Sequence, residues 1–579
     1  MCGIAGIVGP FGTPERCLAM TERLRHRGPD DGGHFAGPGI HLGHRRLSII
    51  DLSSAGRQPM TFGDLVLVYN GEIYNYRALR AGLDGPFSSE SDSEVLLRLW
   101  AREGVACLAR LHGMFAFAIW DAKRRTLFAA RDRLGIKPLF YAEVPGGLAF
   151  ASEPKALLAL GPRSADPSAI VDFLTYKMVP APKSPWQGIV SLPPGHVLTF
   201  DGSLERERFW HPESDETVCD EGPALEEFSA RLRDAVVSHT VADTPVGVFL
   251  SGGLDSTAIV AHLGAPQTFT VGFDDAGRED ARFARLVAEH FGTRHHEETV
   301  AAPDLEAALD AIPAMHDGPF GDSSAFATFV VAKATREHVK VALSGEGGDE
   351  LLSGYGRYGR FIGARPSRSA RLASRLLPPF SSAARSLHRR GGQGLELYES
   401  LLSVFPLPQK RALIAPGLVP GDYDHLWALR AHWREDLSPV KRMQWVDLHV
   451  YLPDDLLAKA DRASMAVSLE VRPPFLDHRL VELALRFDAG LLRRGAVDKW
   501  ILRRSLADRI PAEVLTRPKQ GFSMPVRRWA RGMPGLVADA QRRLVRAGIL
   551  RSAGPHRLGG EQIWSLLVLD RWSRHAGIA

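Results

Sequence analysis

Cysteine is scarce in this chain: four residues among 579, at positions 2, 17, 107 and 219. No two form a Cys-x-x-Cys pair and no neighbouring histidine completes a metal spacing, so neither a disulfide framework nor a zinc site organises the fold. Cys17, Cys107 and Cys219 read as small core hydrophobes. Long apolar runs are missing too. No window approaches the roughly 18 uncharged apolar residues of a membrane span, and the first twenty residues lack a signal-peptide core, so a cytoplasmic chain without a membrane partner is expected. Charge of one sign is also lacking, since 71 Lys and Arg against 67 Asp and Glu leave a net +4. The basic tracts from Arg365 to Arg375 and from Arg385 to Arg390 have no interleaved aromatics. Their Ser, Pro and Gly content reads as a solvated excursion, and no nucleic-acid partner is expected. No internal repeat is visible.

What is present is an ordinary globular balance, 45% hydrophobic and 24% charged, in a chain too long for one core. The first two hundred residues are strand-rich. Apolar runs at Leu65–Val68, Met114–Trp120 and Thr126–Ala130 are separated by Gly, Asn and Asp turns, and Ser93–Arg102 has helical spacing. The run from Gly195 to Phe200 followed by Asp201-Gly202 predicts a last hairpin. A polar stretch, His211–Gly222, cannot build a core and marks a boundary. Beyond it, strands at Pro245–Leu250, Phe269–Phe273 and Val339–Leu343 alternate with helices at Leu225–His239 and Asp280–Phe291. That alternation predicts a parallel α/β sheet covered on both faces. From about Gln444 the chain reads as mostly helical.

The opening Met1-Cys2-Gly3-Ile4-Ala5-Gly6 carries chemistry. Removal of the initiator methionine would place a thiol and a free α-amine on Cys2, supplying nucleophile and base from one residue. An acyl-transfer site for an amino-acid amide also needs a carboxylate anchor, an ammonium acceptor and an oxyanion hole. Arg46 suits the first through its bidentate fork. Asp92 suits the second, and the amide of Asn70 with the N–H of Gly71 suits the third. Any one of these alone is an ordinary turn or surface residue; together they form a set.

A second constellation begins at Val246. The run Val246-Gly247-Val248-Phe249-Leu250-Ser251-Gly252-Gly253-Leu254-Asp255-Ser256 passes from a buried strand through a glycine turn into a helix, which makes an anion cradle. No Gly-Lys-Ser/Thr follows, so it is not a Walker loop. A similar loop, Ser344-Gly345-Glu346-Gly347-Gly348-Asp349-Glu350, follows the strand ending at Leu343. Ligands of open α/β sheets bind at such strand ends. Asp255 and Asp349 could share Mg²⁺ there, and Val271 could line an adenine pocket.

Residues 1 to about 200 resemble the glutaminase domain of class II glutamine amidotransferases. The motifs Cys2-Gly3-Ile4, Arg27-Gly28-Pro29-Asp30, Arg46-Leu47-Ser48, Asn70-Gly71-Glu72 and Ser91-Asp92 occur in the family's order. The resemblance implies an αββα sandwich, Cys2 as nucleophile, Asn70 and Gly71 as oxyanion hole, and Arg46, Glu72 and Asp92 as glutamine contacts. Residues 225 to 535 resemble the ATP pyrophosphatase-type synthetase domain of glutamine-hydrolysing asparagine synthetases. That likeness includes Asp461-Arg462-Ala463-Ser464-Met465, Glu470 to His478, and Lys499. It implies ATP contacts from Leu250, Ser251, Gly252, Gly253, Asp255, Ser256, Val271, Ser344 and Gly345, with Glu346 and Lys499 catalytic.

The expected organisation is therefore an α+β N-terminal-nucleophile domain at 2–210 and an α/β ATP pyrophosphatase-like domain at 225–535, whose C-terminal region is helical, followed by a helical tail at 536–579. The expected substrates are glutamine, ATP with Mg²⁺, and aspartate; homo-oligomerisation stays open. Two departures leave the acceptor open to a different carboxylate, as in polysaccharide or secondary-metabolite pathways. Gly348 stands where asparagine-making members usually have alanine, and an aromatic often stands at Leu352. The stretch from Arg360 to Val419 matches no motif.

Overall fold

The computed structural model describes residues 2–273, 278–300, 305–519, 533–552 and 558–578. Its first twelve strands are β1 (Cys2–Val8), β2 (Asp31–Gly37), β3 (Ile40–Arg46), β4 (Met60–Phe62), β5 (Leu65–Ile73), β6 (Gly113–Asp121), β7 (Thr126–Arg131), β8 (Phe140–Val144), β9 (Gly147–Ala151), β10 (Val190–Ser191), β11 (His196–Phe200) and β12 (Leu204–Arg208). They form two six-stranded sheets, ordered β10-β8-β9-β1-β3-β2 and β12-β11-β7-β6-β5-β4. Every pairing registered within them is antiparallel.

Strand alternation builds the layers. Ile4, Val8, Ile40 and Leu42 of one sheet meet Val66, Val68, Ala116 and Trp120 of the other. The intervening Leu67, Tyr69, Phe115 and Phe117 face outward onto Val95, Leu96, Leu99 and Trp100. Those four lie on the helix Asp92–Glu103, which starts where Ser91 accepts the N–H of Glu94 and two acids occupy the first turn. On the opposite side, Ala5 and Ile7 pack on Met20, Ala156 and Leu157 of flanking helices and on Leu24 in the turn after the first. This is the αββα sandwich that the resemblance implies.

The polar stretch after β12 leaves the sandwich and docks on the second half, where Val218 N–H donates to Arg486 O at 2.9 Å. Cys219 lies in it and is exposed, unlike buried Cys17 and Cys107. The expectation of a core cysteine there fails because its acidic neighbours keep the segment in water.

The second half holds β13 (Val246–Phe249), β14 (Gln267–Phe273), β15 (Arg294–Val300), β16 (Val341–Leu343) and β17 (Glu470–Arg472). They make a parallel sheet ordered β15-β14-β13-β16-β17. One face packs on Phe228, Leu232, Ala258 and Phe283 of three helices, and the other carries Phe269, Ala342 and Val471 against Ala332. β13 neighbours β14 on one side and β16 on the other, so the chain reverses its winding at β13 and opens a crevice above the strand ends. β15 and β17 are not predicted from the sequence. β15 is an edge strand of charged residues, and β17 has three residues inside a region of helical composition.

Helices dominate the remainder. Residues Asp447–Leu457 form a π-helical stretch containing Pro453, whose missing N–H cannot complete an ordinary helical ladder. The helix Gly560–His575 buries Trp564, Leu566, Leu567, Leu569 and Trp572, with Trp572 edge-on to Trp186 of the sandwich half. Among the described residues no helix is long and apolar enough to cross a membrane.

Candidate active sites

Cys2 opens β1 directly opposite Arg46 of β3. Its N–H donates to Asn70 Oδ1 at 2.9 Å, and its carbonyl accepts from Arg27 Nε at 3.1 Å. The thiol is buried, and that burial pushes its pKa up. The second half of the Asn70 amide, Nδ2, is buried with no hydrogen-bond partner among the described residues. An oxyanion forming beside the thiol would use that free donor. Gly71 lies opposite Phe115, and a Cβ there would stand 2.2 Å from Met114 O, so only glycine lets β5 and β6 close at this point.

Asp92 accepts from Tyr69 Oη at 2.9 Å and Ile73 N at 3.0 Å. Burial outweighs both bonds and raises its pKa to about 6. Glu72 is buried with one oxygen 3.5 Å from Arg472 and the other unpaired. Burial and the nearby Glu470 charge raise it well above an ordinary carboxyl. Arg46 donates to the carbonyls of Ser53 (2.8 Å), Asp51 and Ile50 (3.4 Å), tying down the loop after β3.

The sequence motifs do not reveal what stands behind this site. Arg472 and Glu470 come from β17 of the other half, paired to each other and turned toward Glu72. Arg27 is fully buried and reaches Asp461 at 2.8 and 3.0 Å and Glu153 at 2.6 Å. Both arginines sit inside motifs read from the sequence, yet nothing in a linear string pairs position 27 with position 461.

The second site is a cavity of about 440 Å³ over the crevice. Leu250, Ser251, Gly253, Asp255, Ser256, Val271, Ser344, Gly345, Glu346, Asp349 and Lys499 all line it. Gly252 does not; it adopts φ +66°, and a Cβ there would lie 2.5 Å from the Phe283 and Ala284 backbone. Its place is the turn that lets the loop pass over the neighbouring helix. Ser251 Oγ lies 3.2 Å from Ser256 Oγ, so the first cradle is braced by its own hydroxyls.

Lys499 Nζ sits between the two aspartates, 2.5 and 2.6 Å from the oxygens of Asp255 and 2.7 Å from Asp349 Oδ1. Lys519 approaches Asp349 from the other side. Burial opposes ionisation of Asp349, but the two lysines overcome it and hold the carboxyl well below the usual range. Glu346 lies 3.8 Å from Lys459, which also reaches Asp322 at 3.5 Å. Lys459, Lys519, Asp322 and Arg517, whose Nη1 donates to Ser251 O at 3.1 Å, are absent from the residues predicted for the site. Lys459 stands two positions before the Asp461 motif, the one signal that could have drawn attention to it.

The donor set fits magnesium. Two hard carboxylates from adjacent loops face each other across Lys499 Nζ, and Mg²⁺ is commonly held by one or two carboxylates together with substrate phosphates.

A family model described as glutamine amidotransferase domain matches residues 1–210, and one described as asparagine synthase matches residues 227–574. The chain belongs to the asparagine synthase family. A relative from Mycobacterium bovis, provisionally named a glutamine-hydrolyzing asparagine synthetase, is 37% identical over 99% of this chain and 97% of its own. Asparagine synthetase 1 of Bacillus subtilis is 32% identical over 91% of this chain and 88% of its own. An amidase of Penicillium rubens is 27% identical over 92% and 90%. Within the asparagine synthase family, then, this chain carries both matched regions, and each encloses one of the two sites described above.

Proposed function

We propose that this chain is a glutamine-hydrolysing asparagine synthetase, converting ATP, L-aspartate, L-glutamine and water to AMP, diphosphate, L-asparagine and L-glutamate. The observation that carries this reading is the helix Ala458–Met465. Asp461 on it grips Arg27 beneath Cys2, while Lys459 faces Glu346 in the nucleotide cavity. Residues two apart on a helix point about 200° apart, so one short helix serves a thiol site on one side and a phosphate site on the other.

In the first half reaction the Cys2 thiolate attacks the glutamine side-chain carbonyl. With Met1 removed, the α-amine takes the thiol proton and passes it to the leaving ammonia. Asn70 Nδ2 and the Gly71 N–H receive the oxyanion. Asp92 and Glu72 hold the substrate's ammonium end and Arg46 its carboxylate end. Water then hydrolyses the γ-glutamyl thioester. In the second, the acceptor carboxylate attacks the α-phosphorus of ATP and diphosphate departs. Lys499 offsets charge developing at phosphorus, and the two serine loops cradle the phosphates. Asp255 and Asp349 would hold Mg²⁺, which supplies charge neutralisation on the phosphates. Ammonia displaces AMP from the acyl-adenylate, with Glu346 placed to take its proton. Ammonia must travel unprotonated, and a small cavity lined by Ile136, Leu457, Ala460, Val471 and Pro473, with Lys137, Ser344, Glu346 and Asp461 as its polar lining, supports a mostly apolar route.

The deciding experiment measures diphosphate and AMP release with aspartate beside a panel of other carboxylic acids, followed by mass analysis of the product. Stoichiometric asparagine with aspartate is the expected result. Silence toward aspartate in protein with active glutaminase would favour a second reading, the same amidation of another carboxylate. Gly348 is the observation behind that reading: a Cβ there would lie 2.7 Å from the Asp255 carboxylate, so an alanine-bearing relative must place this acid differently.

A further inference from the structure

A third cavity, of about 100 Å³, lies where β12 meets the helical region. Its charged and titratable lining is Arg133, Arg208, His196, His432 and His449, and among the described residues no Asp or Glu lines it. Strand alternation puts Glu205 and Glu207 on the face of β12 opposite Arg208. Glu482 stands just behind the lining, accepting Trp210 Nε1 at 2.8 Å and acting on Arg133 and not on Arg208.

Arg208 is unusual among the desolvated arginines. Arg27, Arg357 and Arg472 each hold a carboxylate, and Arg131 and Arg133 donate to backbone carbonyls. Arg208 has neither among the described residues: its Nε is buried and unpaired, and its Nη2 meets only His449 Nε2, at 3.5 Å. The His449 ring lends its other nitrogen, Nδ1, to Trp445 O at 2.8 Å and stacks on His432 with centroids 4.8 Å apart. Burial, reinforced by Arg208, lowers His432 to about 4; burial, His432 and Arg208 lower His449 to about 3. Among the described residues, then, the pocket collects a guanidinium without a counter-charge and two imidazoles held neutral by burial and by positive neighbours. Leaving such a donor unpaired costs free energy that an anion would recover.

We propose that this cavity binds a small oxyanion of the phosphate type, gripped by Arg208 Nε and Nη2 in bidentate fashion. An arriving anion reverses the sign of the local field, so His432 and His449 gain protons and become further donors. The volume admits inorganic phosphate or diphosphate and excludes a nucleotide. Arg208 belongs to the sandwich half, whereas His432 and His449 belong to the synthetase half, so a bound anion joins the two halves at a cavity that shares no lining residue with the nucleotide cavity.

The test uses the full-length protein with its nucleotide cavity filled by Mg²⁺ and a non-hydrolysable ATP analogue, so that the phosphate loops are occupied. Inorganic phosphate is titrated calorimetrically in one arm and diphosphate in the other. One anion per chain is expected, bound at least about tenfold more weakly by Arg208→Gln and partly restored by Arg208→Lys. The His449 imidazole, followed by NMR, should titrate at higher pH in the anion-saturated protein. The arm with tighter binding identifies the source. No saturable binding in either arm, or equal binding by Arg208→Gln, overturns the proposal. Should Arg208→Gln be insoluble, the His432→Asn/His449→Asn double variant carries the same comparison, with glutaminase activity as the check on folding.

Discussion

At the scale of single residues, the thiol site separates groups that are replaceable from groups that are not. Cys2→Ala removes the proposed nucleophile and should abolish glutamine-dependent amidation while leaving ammonium-dependent amidation intact; parallel assays with the two nitrogen donors check this, and loss of both in folded protein would refute the division of labour. Asn70→Ala removes the proposed oxyanion donor, for which a loss of about 10²- to 10³-fold in glutaminase kcat is expected. Asp92 makes the site sensitive to pH. In the role proposed for it, its carboxyl, raised to about 6 by burial, must be ionised to hold the ammonium end of glutamine. A raised pKa means that the folded protein takes up this proton at higher pH than a free aspartate does. Hence kcat/KM for glutamine should fall about tenfold per pH unit below about pH 6, and Asp92→Asn should lower activity at neutral pH while removing that limb from the profile. A profile flat down to pH 4.5 would contradict the role.

At the scale of elements, the two strand-end loops act as one device only because β13 and β16 are neighbours. β13 pairs with β16 in parallel register, Val248 against Leu343, so the loops that follow emerge side by side. Asp255 and Asp349 then share Lys499 although 94 positions separate the acids in sequence. Asp255→Asn and Asp349→Asn should each suppress AMP and diphosphate formation by about 10²-fold or more while sparing glutaminase activity; ADP as product, or unchanged rates without magnesium, would dismiss the assignment. Lys499 itself stands at φ +49°, a left-handed position at the start of its helix, which aims its side chain across the crevice. That geometry is not legible in Asp498-Lys499-Trp500, where the lysine reads as a solvated helix residue.

At the scale of the whole molecule, the two halves are joined by buried charge rather than by apolar contact alone. Arg27, Glu153, Asp461 and Arg462 form one cluster under Cys2, and breaking a buried ion pair typically costs about 3–5 kcal/mol. Asp461→Asn should therefore destabilise the protein by a few kcal/mol, on the order of 3, because Glu153 still compensates Arg27. It should also lower the ratio of glutamine-dependent to ammonium-dependent activity, since Arg27 holds the Cys2 carbonyl. Denaturant midpoints and the two activities measured side by side check both parts. The C-terminal helix is equally structural. Its five large apolar side chains are worth about 1.5–3 kcal/mol each when buried, comparable with the whole stability of a domain. A chain ending at Leu558 should lose solubility and both activities together; a soluble truncation with full activity would show that the helix is an appendage.

The sequence by itself determined that alternating apolar runs make a layered sandwich followed by a parallel sheet, and it supplied the short motifs from which the nucleophile, the phosphate cradle and its acids are proposed. Such features are legible because they depend on periodicity, glycine turns and short motifs, all interactions between near neighbours in the chain. Only the tertiary structure decided that Arg472 and Glu470 of β17 stand behind Glu72, that Lys459 faces Glu346, and that Arg208 has no counter-charge among the described residues. It likewise decided that Gly252 shapes the turn instead of lining the cavity, and that Cys219 faces water. Each of these depends on which distant segment excludes solvent from a charged group, and burial decides whether that charge needs a partner. A string of residues carries the charge of every side chain, but the dielectric around it exists only once the chain has closed.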